Sequence, residues 1–358
     1  MYDGHFEVDK LGPDDAKRQA DMLAWHPIMF QVARVLSSTG ILKEVKAGRK
    51  KGVTPETIAE KLGIPLYGVK ILLEVGLSIG LTKLMRKNTY TISKMGYFLL
   101  LDKQIQINMN YVHHVCYKGM FHLEEAILTN KPAGLKELGP WEKIYEGLSL
   151  LDEPIKKSWF DFDHYYSDVA FKKIFPEIFK NDPKMIMDVG GNTGKFSIAC
   201  CEYNEDVKLT IVDLAGQWNR AKKNIEELGL TDRISGHVMD VLIDDPVYPA
   251  GADVIWMSQF LDCFSEEEIV HIISNASKSM NANSALYILE LYWDRQDHPV
   301  PAYCLHGTSI YFTAMANGNS KMYHSEDMRK CVEEAGLKVV DDINVENDYH
   351  TLYKCQLA

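Results

Sequence analysis

No run in the 358-residue chain approaches the roughly 18 to 20 consecutive apolar residues that a membrane-spanning helix requires. No membrane association is therefore expected. The polar, acidic start, MYDGHFEVDKLGPDDAKRQ, contains no apolar h-region, so no signal peptide is expected either. The seven cysteines are scattered, odd in number and without a CxxC pair. That pattern argues against a disulfide framework or a metal site and for reduced thiols in a cytoplasm. Internal repeats and low-complexity linkers are also missing. Positive charge is short: 39 Lys and Arg face 50 Asp and Glu, a net charge of −11. Such a balance disfavours nucleic acid as a general partner. The deficit is uneven, because residues 41–96 carry seven more basic than acidic side chains.

The two common phosphate signatures are absent as well. Asp188 to Phe196 reads DVGGNTGKF, a glycine-rich turn running into Gly-Lys. A P-loop needs glycine where Val189 stands and Ser or Thr where Phe196 stands, so that a hydroxyl can hold Mg²⁺. The dinucleotide fingerprint Gly-x-Gly-x-x-Gly, started at Gly190, meets Asn192 and Lys195 where it needs glycines. The turn must serve a ligand other than a nucleoside triphosphate or NAD.

The length favours two domains, and the pattern changes character along the chain. In GVTPETIAEKLGIP, Thr54 can cap a helix, Pro55 suits its first position and Gly63 can end it. A second helix in PLYGVKILLEVGLSIGL and a hairpin around Arg86–Asn88 complete winged-helix order. The second helix offers Leu66, Tyr67, Val69, Ile71, Leu72, Leu73, Val75 and Leu77, with only Lys70 and Glu74 charged. A recognition helix needs polar side chains for base edges, so DNA reading is disfavoured. A helix apolar nearly all round is expected to be buried. Upstream, Leu23, Met29, Val32, Val35 and Leu36 form an apolar stripe. It can be buried in a partner subunit or pack within its own chain. Residues 106–180 read as aromatic-rich and mostly helical.

From Lys184 onward, strands and helices alternate: MIMDVGG, GKFSIACCEY, VKLTIVDL, QWNRAKKNIEELG, RISGHVMDV, ADVIWMSQFL, SEEEIVHIISNASKSM and SALYILELYW. This implies an α/β fold with a doubly wound parallel sheet and ligands at the carboxyl ends of its strands. Asp188, Asp213 and Asp240 each fall at such an end. Asn192 tolerates the left-handed conformation that a tight turn demands. Asp213 lies where ribose hydroxyls are bound in related sheets. Several acids and no pyrophosphate motif suit a ligand that carries a cation and an amino group, such as S-adenosyl-L-methionine (AdoMet), whose product is S-adenosyl-L-homocysteine.

With these motifs, nearly the whole chain, from about residue 20 to 355, resembles the small-molecule O-methyltransferases of the caffeate and hydroxyneurosporene type. That resemblance implies a winged-helix-like dimerisation domain (1–105), followed by a helical linker and a Rossmann-like AdoMet domain (106–358, core 181–358). The family's DVGGGTG is Asp188–Gly194, with Asn192 as its fifth residue. By resemblance, Asp188, Gly190, Asp213 with Leu214, Asp240 with Val241, and Ser258 are expected at the cofactor. The family's F-N-x-x-M matches loosely at Phe162–Tyr166, so Phe162 and Tyr166, with His113 and Phe312, are expected around the substrate. Tyr165, Tyr311 and Met315 are further candidates for an apolar slot, core packing being the alternative for each.

The departure lies where chemistry is expected. The family's L-K-x-x-L-H-D-W-S-D-E aligns with MSQFLDCFSEE, Met257 to Glu267. Its lysine becomes Ser258 and its catalytic histidine becomes Asp262. A buried Asp262 with a raised pKa can act as the base, or it simply leads into the helix that Ser265 caps. His306 is the second candidate. The expectation is a cytoplasmic, homodimeric methyltransferase acting on a hydroxyl of an aromatic or polyketide-like small molecule. Methylation at ring carbon, a catalytically inactive AdoMet-binding protein and a winged-helix DNA-binding regulator are the alternatives.

Overall fold

The computed structural model describes residues 9–167 and 170–358, apart from the side chains of Lys87, His164, Tyr166 and Ser167. The chain divides into two compact units, residues 9–114 and 115–358.

The first unit runs α1 (Pro13–Ser38), α2 (Ile41–Ala47), α3 (Pro55–Leu62), α4 (Leu66–Ser78), the antiparallel hairpin β1 (Thr82–Met85) and β2 (Thr89–Ile92), then α5 (Lys94–Leu101) and α6 (Lys103–Tyr111). The α3 boundaries follow from its sequence. The Thr54 hydroxyl accepts the Thr57 N–H at 3.3 Å, and Gly63 ends the helix at φ +65°. Leu36, Ile41, Leu42, Val45, Ile58, Leu73 and Leu81 are fully buried together. Each contributes about 1.5–3 kcal/mol by leaving water.

The core is small, and α4 is not buried all round as its composition predicts. Val69, Leu73 and Gly76, spaced to share one face, are buried, and Leu72 and Leu77 pack partly against the same core, while Leu66, Tyr67 and Ile71 are exposed. The stripe on α1 divides similarly. Leu36 is buried and Met29 and Val32 are half-buried, but Leu23 and Val35 lie open, as do Met22, Trp25 and Ile28 beside them. One helix face is all that so small a core can cover.

The second unit begins with α7 (Leu123–Thr129), α8 (Ile144–Gly147), α9 (Ile155–Ser167) and α10 (Phe171–Ile178). The alternating part follows: β3 (Met185–Val189), α11 (Lys195–Tyr203), β4 (Lys208–Asp213), α12 (Ala215–Glu227), β5 (Ile234–Val238), β6 (Val254–Ser258), α13 (Glu266–Ser277), β7 (Ala285–Glu290), α14 (Pro299–Tyr311), α15 (Ser325–Glu334), β8 (Leu337–Asn344) and β9 (Thr351–Leu357). The sheet order is β5-β4-β3-β6-β7-β9-β8. The first five strands in that order are parallel, while β9 runs antiparallel to both β7 and β8. The antiparallel pair at the far edge has no counterpart in the sequence reading, which stopped at β7.

Strand alternation builds a core on each face of the sheet. Met187, Val189, Ile255 and Met257 join the cluster containing Ile269, Ile272 and Ile273 of α13. Ile186, Val254 and Trp256 join Phe175 of α10 and Phe196 of α11 on the other face. There Phe196 and Trp256 stack at 4.3 Å. The helix α13 begins with the reciprocal cap that its sequence predicts. Ser265 N–H donates to Glu268 at 2.8 Å, and Glu268 N–H donates to the Ser265 hydroxyl at 3.2 Å. Parallel strands fed from one side place the loops after β3, β4, β6 and β7 along a single edge, and the candidate site lies there.

The turn between β8 and β9 is tied back to α10. Lys173 Nζ donates to Asp348 at 3.0 Å, and His350 Nδ1 lies 2.6 Å from the same carboxyl group. Burial acts to raise the Asp348 pKa, but the His350 hydrogen bond and charge, with Lys173, hold it at about 2. An unfolded aspartate titrates near about 3.9, so this stabilisation is complete above that pH and is lost as pH falls toward 2. Asp348→Asn is expected to cost about 1 kcal/mol at pH 6, discounted for partial exposure. Urea midpoints should show the gap between the two proteins closing from pH 4 to pH 2.5. A gap independent of pH would place the cost in packing instead of charge.

Candidate functional site

The loop from β3 into α11 must turn sharply at Gly190 and Asn192, with φ +76° and +50°. A Cβ on Gly190 would sit 2.2 Å from the Phe260 ring, so the backbone passes where no side chain fits. Asn192 takes the left-handed conformation expected of it. Its N–H donates to Asp213 at 2.8 Å, coupling the loop after β3 to the end of β4. The other Asp213 oxygen accepts the Leu214 N–H at 2.7 Å. Burial pushes Asp213 up to about 6 against these two hydrogen bonds. Asp188 is buried more deeply and accepts the Ser197 hydroxyl at 2.6 Å. Burial pushes its carboxyl up to about 7.

Over this loop lies a cleft that is partly open to solvent. It is lined by Asp163, Phe171, Asp188, Gly190, Gly191, Asn192, Thr193, Lys195, Phe196, Trp256, Ser258 and Gln259. Three of these present buried polar atoms without a hydrogen-bond partner: Asn192 Oδ1, Ser258 Oγ and Gln259 Oε1. Buried polar atoms are normally satisfied, so the cleft is built for a polar ligand. Gln259 is also held at φ +45°, an uncommon conformation for a side chain of its kind and typical of sites under functional constraint.

Of the residues expected at a cofactor, Asp188, Gly190 and Ser258 line the cleft directly. Asp213 supports it through Asn192, and Leu214 is exposed beside Asp213. Asp240 lies on the surface, where it accepts the Leu242 N–H at 2.9 Å. The Val241 side chain belongs to the apolar core, so only its backbone remains available to a ligand.

Asp262 does not line this cleft. It sits in the short helical turn Leu261–Cys263, buried in a second polar cluster. Glu290, at the end of β7, accepts the N–H groups of Phe260 and Leu261 at 3.0 and 2.9 Å, while its second oxygen has no partner. Burial pushes Asp262 up to about 6. Burial and then the charge of Asp262 raise Glu290 well above the usual carboxylate range. The Cys263 thiol donates to Asp262 at 3.5 Å, and the buried Tyr145 hydroxyl lies beside Cys263.

The remaining candidates separate. His306 is exposed on α14, its ring tilted against Trp293 with centroids 5.1 Å apart. Phe312 is buried at the start of a π-helical turn, and Tyr311 accepts the Trp159 Nε1–H at 2.7 Å. Met315 is sealed against the backbone of Gly119 and Gly134, which makes it core rather than slot. Phe162 is half-buried on α9, next to cleft-lining Asp163. The Tyr166 side chain lies outside the described residues. His113 belongs to the first unit, where its ring is 3.4 Å from Gln31 and edge-on to His114.

Sequence reasoning missed Glu290, Asp163 and Gln259. An acid within the apolar strand ALYILE was a signal for Glu290, and Asp163 stood inside the motif quoted for Phe162. Nothing in the sequence marks Gln259.

An L-tyrosine C(3)-methyltransferase of Streptomyces lavendulae is 22% identical over 335 residues, 91% of this chain and 89% of the relative. A 3-hydroxy-5-methyl-1-naphthoate 3-O-methyltransferase of Streptomyces sahachiroi is 25% identical over 268 residues, 72% of each. Among solved structures, the O-methyltransferase NcsB1 from neocarzinostatin biosynthesis, in complex with S-adenosylmethionine and 2-hydroxy-5-methyl naphthoic acid, shares the fold. Its TM-score is 0.63 at 18% identity, covering 92% of this chain and 96% of that one. A Dimerisation2-like domain matches residues 17–90, and an O-methyltransferase domain matches residues 148–338. The second match spans more than half of the chain, across the helices before the sheet, the cleft and the buried acids, and the protein therefore belongs to the O-methyltransferase domain family.

Proposed function

We infer that this protein transfers the methyl group of AdoMet to a hydroxyl of an aromatic or polyketide-like small molecule. The observation that carries this reading is the cleft at the carboxyl ends of β3 and β6. Its glycine turn admits a ligand against the backbone, and three unpartnered polar atoms line it. AdoMet supplies an electrophilic methyl group on a sulfonium, so the chain has only to hold the acceptor in line and manage one proton. Asp213, already fixed by two backbone N–H groups, retains lone pairs for ribose hydroxyls. Asp188 sets the turn through Ser197, and Asp262 takes the acceptor's proton.

Methylation at carbon is the second reading. It is favoured by the seat of Asp262 outside the cofactor cleft, since a nucleophilic ring position needs no strong base. The tyrosine C(3)-methyltransferase, aligned along most of the chain, has the same kind of acceptor atom in its name.

The first unit is proposed to pair two copies of the chain. The exposed Leu23, Trp25 and Ile28 on α1 and Tyr67 and Ile71 on α4 supply apolar surface that a second copy can cover. The seven cysteines are free thiols, which fits a cytoplasmic location.

Three outcomes are expected. Asp213→Ala should weaken S-adenosylhomocysteine binding by about 1–3 kcal/mol in calorimetry, the worth of a hydrogen bond to a charged acceptor. Unchanged affinity would mean that the ribose is held elsewhere. Light scattering should give a dimer, and Leu23→Glu with Trp25→Glu should shift it toward the 40.7 kDa monomer; a wild-type monomer at micromolar concentration discards the dimer. For oxygen transfer, turnover should rise through pH 6 as Asp262 ionises. Asp262→Asn should then lose about 10²–10⁴-fold at pH 7 and recover toward pH 10, where a phenol ionises unaided. A small loss at every pH supports transfer to carbon.

A further inference from the structure

We propose that the basic hairpin of the first unit docks on an anionic lipid surface. Among the described residues no helix is long and apolar enough to cross a membrane, but docking at the headgroups needs no spanning helix.

The basic excess of residues 41–96 is not spread over the unit. Its four acids, Glu44, Glu56, Glu60 and Glu74, all lie on α2, α3 and α4. There Glu44 pairs with Lys61 and Glu56 with Lys70. The helical turn Arg49–Lys51 and the hairpin contain no acid. The fold brings these two segments together. Val53 and Tyr90 exchange backbone hydrogen bonds at 3.0 and 2.8 Å. A Cβ on Gly52 would sit 2.9 Å from the Thr89 side chain, so the turn is pressed onto the start of β2, where Thr89 pairs with Met85. Arg49, Lys50, Lys51, Lys83 and Arg86 are thereby gathered on and beside the hairpin. All five are exposed, and among the described residues none of them makes an ion pair. Such a cluster repels itself, and an anionic surface relieves the repulsion. Exposed charges are screened beyond about 8–10 Å, so this local excess, and not the net charge of −11, governs what docks there.

A second observation selects the kind of surface. Leu84 and Met85 stand between Lys83 and Arg86, and successive side chains of a strand point to opposite faces. Both are nevertheless open, at 54% and 45%. This end of the hairpin is covered on neither face, and its cations flank two large apolar side chains. A nucleic acid would meet the cations with phosphates but set Leu84 and Met85 against polar groove edges. The boundary between headgroups and acyl chains accepts both, while lysine and arginine reach back to the phosphates.

The test is co-sedimentation of the full chain with vesicles of phosphatidylcholine, alone or with about 30% phosphatidylserine. Binding is expected to the anionic vesicles only. It should fall at least about ten-fold between about 0.1 M and 0.5 M salt, as the screening length shortens. Arg49→Gln, Lys50→Gln and Lys51→Gln together should weaken it about 100-fold, at roughly five-fold for each cation. Leu84→Asn with Met85→Asn should also weaken it, whereas Lys222→Gln with Lys223→Gln, on α12, should not. Absence of binding to the anionic vesicles overturns the proposal. So does an equal loss in the α12 variant, which would make the attraction one of overall charge. Equally tight binding of duplex DNA, unchanged by Leu84→Asn with Met85→Asn, would assign the cluster to polyanions in general and overturn the lipid. Light scattering should give that apolar variant the mass of the wild type. Dissociation would place Leu84 and Met85 between two copies of the chain and overturn the docking surface.

Discussion

Carboxyl groups held out of water at one edge of the sheet impose the constraint around which the second unit is organised. Asp188 is the penultimate residue of β3, Asp213 ends β4, Glu290 ends β7, and Asp262 follows β6 by four residues. Burial raises the pKa of each. A desolvated carboxyl is tolerated only where donors meet it. Here they are the N–H groups of Asn192, Leu214, Phe260 and Leu261, together with the Ser197 hydroxyl. Those N–H donors belong to the loops themselves, and Ser197 to the first turn of α11. Satisfying the acids therefore fixes the loops, and fixing the loops shapes the cleft.

This coupling accounts for backbone strain at two of the cleft residues. Asn192 and Gln259 both take positive φ, and both line the cleft. For Asn192 the conformation brings its N–H onto Asp213, a return that offsets a cost of order 1 kcal/mol. Gln259 N–H donates to Leu289 O at 2.9 Å, so the strained residue is pinned to the adjacent strand. The cleft is thus preorganised, which suits a reaction in which the protein's main contribution is alignment of acceptor and methyl group.

The two units use apolar side chains differently. In the second, strand alternation sends neighbouring residues to opposite faces, and helices cover both. In the first, one small cluster leaves much of α1 and one side of α4 uncovered. An amphipathic pattern fixes which residues of a helix can be buried together. It does not say whether a cover comes from the same chain, and Tyr67 and Trp25 are left exposed.

The order of strands and helices from Lys184 to β7, the turn at Asn192, the caps at Thr54 and Ser265 and the strand-end positions of Asp188 and Asp213 were all legible in the sequence. Each depends on neighbours within a few residues: hydrophobic period, turn chemistry or capping. The antiparallel β8–β9 edge was not legible, nor was the split between the cofactor cleft and the Asp262–Glu290 cluster. Glu290 meets Phe260 across 30 residues, and Asp163 meets Asn192 across 29. Contacts of that span are made only when the sheet assembles and brings separate strand ends to one edge. Local pattern determined which residues stand at the ends of strands; tertiary structure decided which of them face a ligand, because that depends on what packs against each from elsewhere in the chain.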